Sequence, residues 1–408
     1  MTTSTGHGYP IDAVREQFPA LTGGTAYFDG PGGSQVPRPV AATVAAAMTG
    51  GLSNRGRVTA SERAADDIVV AAREAIGDLL GADPRGVVFG RSMTALTYEM
   101  SRALARGWQA GDEIVVTSLD HDANIRPWLA AAASAGATVR WAEFDPQTGE
   151  LPVRAVTDQL SARSRLVAVT GASNLLGTRP DLAPIIAAAH GVDALVYVDG
   201  VHLTPHTPVD ASAWGADFYA VSPYKFLGPH LGVVAARPEL LESLRPDKLL
   251  PATEVVPERF ELGTLPYEML AGVRAAVDFL ANLVPGEGTR RARLLASMTT
   301  LEAYETKLAA RLEAGLGAVP GLRLHAHPSS RTPTLLFSLG GRPATDLARQ
   351  LAGRGINAPA GSFYALEASR RLGLGDGGAV RAGVAPYTSE EDVDRLIAAV
   401  RQMGEGAG

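Results

Sequence analysis

The segment VSPYKFLGPH, residues 221–230, sets one lysine among prolines, a glycine and aromatic residues directly after a hydrophobic run. Of 37 basic residues only Lys225, Lys248 and Lys307 are lysines, and all others are arginines. Arginine keeps its charge at ordinary pH, whereas a lysine amine can lose its proton in a suitable pocket and add to an aldehyde. A single loop lysine is ordinarily a solvated charge, so the chemical reading of Lys225 rests on its companions.

Those companions also follow short apolar runs. After GVVFG comes Arg91-Ser92-Met93-Thr94, opening a helical pattern where free backbone N–H groups and hydroxyls can hold a phosphate or simply cap the helix. EIVVTS leads into Leu119-Asp120-His121-Asp122-Ala123-Asn124, so the His121 imidazole can face a flat ring or solvent. RLVAVT leads into GASNLLGT, in which Asn174 can donate to a phenolic oxygen or make a turn. ALVYV ends on Asp199, followed by Gly200-Val201-His202, and a carboxylate there costs desolvation energy unless a cation meets it. Taken together, a phosphate cradle, a ring-stacking group, a carboxylate for a protonated ring nitrogen and an amine for an aldehyde meet the demands of pyridoxal 5'-phosphate.

Elements capable of positioning these residues are legible in the periodicity. From about residue 60, helical patterns (ASERAADDIVVAAREAIGDLLG, SMTALTYEMSRALARG, NIRPWLAAAASAG, PDLAPIIAAAHG) alternate with short β-branched runs (GVVFG, EIVVTS, TVRWAEF, RLVAVT, ALVYVD, DFYAVS, LGVVAAR). Such alternation predicts a mostly parallel sheet covered by helices, whose ligands gather beyond the carboxyl ends of the strands. VPGEG near 284–288 reads as a boundary, followed by a long helix over about 289–317 and a smaller α+β region. The expected organisation is an N-terminal arm over 1–30, a large domain over 31–285 and a small C-terminal domain over 286–408.

Composition narrows the function classes. At 408 residues, 46% hydrophobic and 20% charged, the chain reads as an ordinary globular protein. A net charge of -6 gives no electrostatic case for nucleic acid or an anionic membrane. The first residues lack a basic region leading into an apolar run, and no run of about 20 apolar residues exists, so a cytoplasmic location is expected. There is no cysteine, which excludes disulfides, thiolate metal sites and any thiol nucleophile within this sequence. The 8 histidines form no familiar zinc spacing, so no metal is expected.

In order along the chain, LDHDANIRPW, ASNLLGT, YVDGVH, SPYKFLGPH, RFELGT and VRAGVAPY resemble the motifs of the class V aminotransferase group of fold-type I pyridoxal-phosphate enzymes. Within it the likeness is to the cysteine desulfurase and selenocysteine lyase branch. The resemblance implies that Lys225 holds the cofactor, that Asp199 partners the pyridine nitrogen and that His121 stacks on the ring, making these the catalytic set. It further implies cofactor contacts from Met93, Thr94, Asn174, His202, Ser222 and Tyr224. His202 stands where desulfurases usually carry glutamine, and Tyr224 replaces a common histidine. Gly263 and Thr264 resemble the segment that completes the phosphate site from a neighbouring subunit, which implies a homodimer. Substrate contacts are implied for Arg381 on the α-carboxylate and for Asn174; Arg55 and Arg57 read either as contacts to a polar substrate tail or as solvated loop arginines, and Phe363, with Tyr364, either as lining for a bulky S-substituent or as small-domain core.

One departure carries weight. Desulfurases take sulfur onto a cysteine of a mobile loop, and the corresponding region here is Gly361-Ser362-Phe363-Tyr364-Ala365-Leu366-Glu367. Persulfide chemistry by that route is thereby disfavoured. β-Elimination from a cysteine S-conjugate needs no enzyme thiol and is the favoured reading, with the carbon-sulfur lyases of ergothioneine and lincosamide biosynthesis as functional analogues. Oxygen-dependent decarboxylation and deamination of an S-conjugate, epimerisation like that of the isopenicillin N epimerases, and transamination are the alternatives. A non-catalytic binding protein on the same fold would more readily have dispensed with Lys225 or Asp199.

Overall fold

A computed structural model describes residues 8–405; residues 1–7 of the expected arm and 406–408 of the expected small domain lie outside the described residues. The alternating runs form a seven-stranded sheet in the order Val87–Gly90, Gly232–Ala236, Phe218–Val221, Leu195–Asp199, Ser164–Thr170, Glu113–Thr117, Thr138–Ala142. All neighbouring pairs are parallel except those made by Gly232–Ala236, which runs antiparallel to both of its neighbours. Burial on both faces explains the continuous apolar character of the central strands.

Helices cover the sheet where the sequence predicts them. Ala60–Leu80 starts on a capping box between Thr59 and Glu62 and stops at Gly81, whose φ of 62° closes the last turn. Its apolar face, including Val69, Ile76 and Leu80, packs with Val115, Val167 and Val196 from one side of the sheet. On the other side, Leu96 and Met100 of helix Met93–Ala105 join Trp128, Tyr197 and Phe218.

A second, antiparallel sheet has the order Ala360–Gly361, Ala379–Gly383, Thr334–Leu339, Leu322–Leu324. The long helix Arg290–Gly317 serves both layers: Leu294, Met298 and Leu301 pack in the core beside the large sheet, while Leu308, Leu312 and Leu316 pack in the core beside the small one. Near the N-terminus, Ala26–Tyr27 pairs in parallel with Ile356–Asn357, and Arg15 bonds the Tyr387 carbonyl and Asp392. No described helix is long and apolar enough to cross a membrane.

Candidate active site

Register gathers the polar strand ends. Thr170 pairs with Asp199, and Asp199 with Ala220, so the loops leaving these parallel strands emerge at one level. The inner cavity beyond them is lined by Met93, Thr94, His121, Asn174, Asp199, His202, Ser222, Tyr224 and Lys225, together with Ala123, Thr170, Ala172 and Val201. The residues singled out on five different strand-loop junctions thus face one space.

Each side chain is held by local bonds. His121 Nδ1 accepts from the Ala123 N–H at 3.0 Å, and burial, reinforced by Lys225 and Arg381, pushes the imidazole down to about 4. It therefore presents a neutral face. Beneath it, Trp128 Nε1 donates to Asn124 Oδ1 at 3.0 Å and Asn124 Nδ2 donates to Asp120 Oδ1 at 2.7 Å, which anchors the turn. Burial raises the Asp120 carboxyl to about 8, with nearby Asp199 acting in the same direction.

Asp199 is 5% exposed and accepts the Val201 N–H at 3.0 Å. Burial lifts it to about 6, against the pull of that bond and of Lys225. Among the described residues no cationic side chain hydrogen-bonds it, so the carboxylate suits a cationic ring nitrogen. The half-buried Lys225 amine donates to the Pro31 carbonyl. Burial, then the charge of Arg381, lowers it to about 7, with Asp199 opposing. Asn174 donates from Nδ2 to the Phe363 carbonyl at 2.9 Å, while its Oδ1 is buried without a partner. His202 Nε2 lies 3.0 Å from Thr334 Oγ1 and 3.1 Å from Thr332 Oγ1, leaving Nδ1 as the ring nitrogen not engaged by those threonines. Behind it, His206 Nδ1 meets the buried Glu305 at 2.8 Å.

The helix start that borders this cavity depends on a close approach. Ser92 caps helix Met93–Ala105 through the Ala95 N–H, so the N–H groups of Met93 and Thr94 begin the helix without intrahelical acceptors. A Cβ on Gly232 would lie 2.1 Å from the Ser92 carbonyl carbon and 2.3 Å from the Met93 nitrogen. Gly232→Ala should therefore displace this helix start, costing about 1–3 kcal/mol and weakening cofactor retention; thermal unfolding and the absorbance of bound cofactor read the two effects separately. Ser222 and Tyr224 line the same cavity, and the Tyr224 ring stacks on His230 with centroids 4.6 Å apart. These donors, with the unpartnered Asn174 oxygen and the buried Asp199, fit pyridoxal phosphate.

An outer cleft of about 550 Å³ continues from this cavity and adds Arg381, Phe363, Tyr364, Tyr98, Asp122 and Arg126. Arg381 is 1% exposed. Its Nη1 donates to the Asn174 carbonyl at 2.8 Å, its Nε has no partner, and the Phe363 ring covers it at 3.7 Å. Burial lowers its pKa, with Asp29 opposing, but a guanidinium stays charged at neutral pH. Phe363 and Tyr364 have φ of 52° and 59°, a left-handed backbone costing each bulky residue about 1–2 kcal/mol. The Asn174 bond to the Phe363 carbonyl and the Asp122 N–H bond to the Tyr364 carbonyl, at 2.7 Å, hold it there.

Some expected residues are elsewhere in this chain. Arg55 and Arg57 line a separate recess with Thr253, Val255 and Glu258. Arg55 is committed to Asp66 at 2.7 Å and Glu258 at 3.1 Å. Gly263 and Thr264 are exposed and line neither cavity. Conversely, sequence reading missed Pro31 and Gly32, which line the outer cleft, and Asp29, whose charge opposes that of Arg381. Their signal was the dense DGPGGS turn chemistry at residues 29–34. Thr332 and Thr334 were missed too, and no local pattern marks them.

The aminotransferase class-V family model matches residues 26–396. The chain is 36% identical over 401 residues to an uncharacterized protein of Mycobacterium tuberculosis, covering 97% of this chain and 100% of that one. It is 31% identical over 420 residues to a cysteine desulfurase of Klebsiella pneumoniae, covering 97% and 98%. A solved structure of the cysteine desulfurase CsdA (S-sulfonic acid) from Escherichia coli superposes with a TM-score of 0.86 at 30% identity, covering 98% of this chain and 99% of that one.

Proposed function

Because this chain belongs to the aminotransferase class-V family, whose fold-type I architecture and pyridoxal-phosphate cofactor it shares, we propose that it is a carbon-sulfur lyase acting on an L-cysteine S-conjugate. The observation that carries this reading is a pair of joined cavities lined by Lys225, Asp199, His121 and Arg381 in a sequence with no cysteine. In the overall reaction the conjugate and one water yield a thiol, pyruvate and ammonium.

When bound, pyridoxal phosphate supplies an electron sink that stabilises negative charge at the α-carbon. Arg381 binds the α-carboxylate through a guanidinium fork, and Phe363 on its face keeps that fork from turning. Lys225, with an amine lowered to about 7, is suited to take the α-proton near neutral pH and to return one to the departing sulfur. With the cofactor bound, the buried Asp199 carboxylate would favour a protonated ring nitrogen, and neutral His121 would offer the ring a flat, uncharged surface. Asn174 links these groups, since its carbonyl accepts from Arg381 and its amide holds the Phe363 loop.

The same reading makes the protein a cytoplasmic homodimer, with Gly263 and Thr264 completing the phosphate site of the partner subunit. Sedimentation of the holoenzyme at micromolar concentration should give twice the monomer mass. The chemical test is to incubate it with L-cysteine S-conjugates and separate the products by mass and chiral analysis. Pyruvate and thiol in equal amounts are expected; an aldehyde, a keto acid retaining sulfur, or an inverted but intact substrate would each replace this reading with a different one.

A further inference from the structure

The mechanism uses the inner cavity and Arg381 but leaves the rim of the outer cleft without a role. Tyr98 sits one helical turn after Thr94 on helix Met93–Ala105, so both share a face, and it is 38% exposed. Tyr364, which lines the same cleft, is 74% exposed, with its ring 5.5 Å from that of His121. Its left-handed backbone is held by Asp122, yet among the described residues its phenol bonds nothing. The strain at Phe363 has a counterpart in its contact with Arg381. Apart from that tilted approach to the His121 ring, the Tyr364 side chain stays largely exposed on the wall of the outer cleft.

Size and charge define what fits. The cleft of about 550 Å³ shares Thr94, His121, Ala123, Asn174, Tyr224 and Lys225 with the inner cavity, so the cofactor takes part of it, and the part bordered by Tyr98, Asp122, Arg126 and Tyr364 is what remains for a substituent. Arg126, on the rim, is paired with the lining carboxylate Asp122 at 3.2 Å and also with Glu367, so its charge is already committed. An anionic group would meet committed charge of its own sign, whereas an aromatic group meets rings.

We propose that the outer cleft is a subsite for an aromatic substituent on the amino-acid substrate, seated between Tyr98 and Tyr364, and that it disfavours anionic substituents. This rests on the reading of the site as one for amino acids and names the class of substrate it takes.

The test is titration of the holoenzyme with S-benzyl-, S-methyl- and S-carboxymethyl-L-cysteine, reading binding from the change in cofactor absorbance on rapid mixing and products separately. S-Benzyl-L-cysteine should bind at least about tenfold more tightly than the S-methyl compound, with S-carboxymethyl-L-cysteine weakest. Tyr98→Ala and Tyr364→Asn should each weaken the benzyl compound about 2- to 10-fold and change the methyl compound less than about twofold. Asparagine is chosen because it tolerates the left-handed backbone. Equal affinities for all three conjugates, or equal losses for all three in the variants, would overturn the subsite. Tight benzyl binding without pyruvate would remove the lyase reading and leave the subsite standing; pyruvate from all three at equal affinity would do the reverse.

Discussion

Lys225→Ala should lose turnover by at least about 10³-fold and lose the visible absorbance of covalently held cofactor. Among the described residues the amine is the one nucleophile lining the inner cavity that suits an aldehyde, and it bonds the Pro31 carbonyl. Borohydride treatment with pyridoxal phosphate should label the parent protein at Lys225 and leave the variant unlabelled. Retained turnover in the alanine variant would refute the assignment. The lowered pKa adds a second signature. Cofactor-stripped protein should take up pyridoxal phosphate about tenfold faster per pH unit below its amine pKa, as the neutral amine becomes available, and level off above about 7. A rise that continues to pH 10 would mean an unperturbed lysine.

Arg381→Ala should raise the apparent Kd for amino-acid substrates about 100-fold, the equivalent of about 3 kcal/mol for a buried charge pair losing one member. Cofactor absorbance should stay close to that of the parent protein, because Arg381 lines the outer cleft and not the inner cavity. Arg381→Lys should recover little: an ammonium is a point charge without the fork, and its stem gives Phe363 no flat cation to cover. An unchanged substrate dependence in the alanine variant would remove the carboxylate role. Loss of cofactor together with substrate would instead show that Arg381 acts on the architecture of the loop at 361–365.

Much of the seven-stranded sheet and its helical cover is written locally. The parallel strands, the covering helices and the polar residues just beyond Thr170, Asp199 and Val221 follow from short apolar runs and strand-end chemistry, because side-chain periodicity and turn preference act over a few residues. Lys225 stood out by its rarity and Asp199 by its position at the end of a buried strand. The outer cleft was far less legible. The sequence shows Phe363 in the loop at 361–367, but its seat on Arg381 and its left-handed backbone emerge only when segments far apart in the chain meet.

The sequence by itself determined the identity of the chemistry-bearing groups and the order in which strands present them, together with the missing thiol that turns the reading away from persulfide transfer. Tertiary structure alone decided which of those groups act together. It brought Pro31 to Lys225, Thr332 and Thr334 to His202, and Phe363 to Arg381, while leaving Arg55 in a separate ion-paired recess. The physical reason is that strand and helix formation are specified by neighbours in sequence, whereas desolvation, charge pairing and ring packing depend on distance in space, which only the folded chain sets.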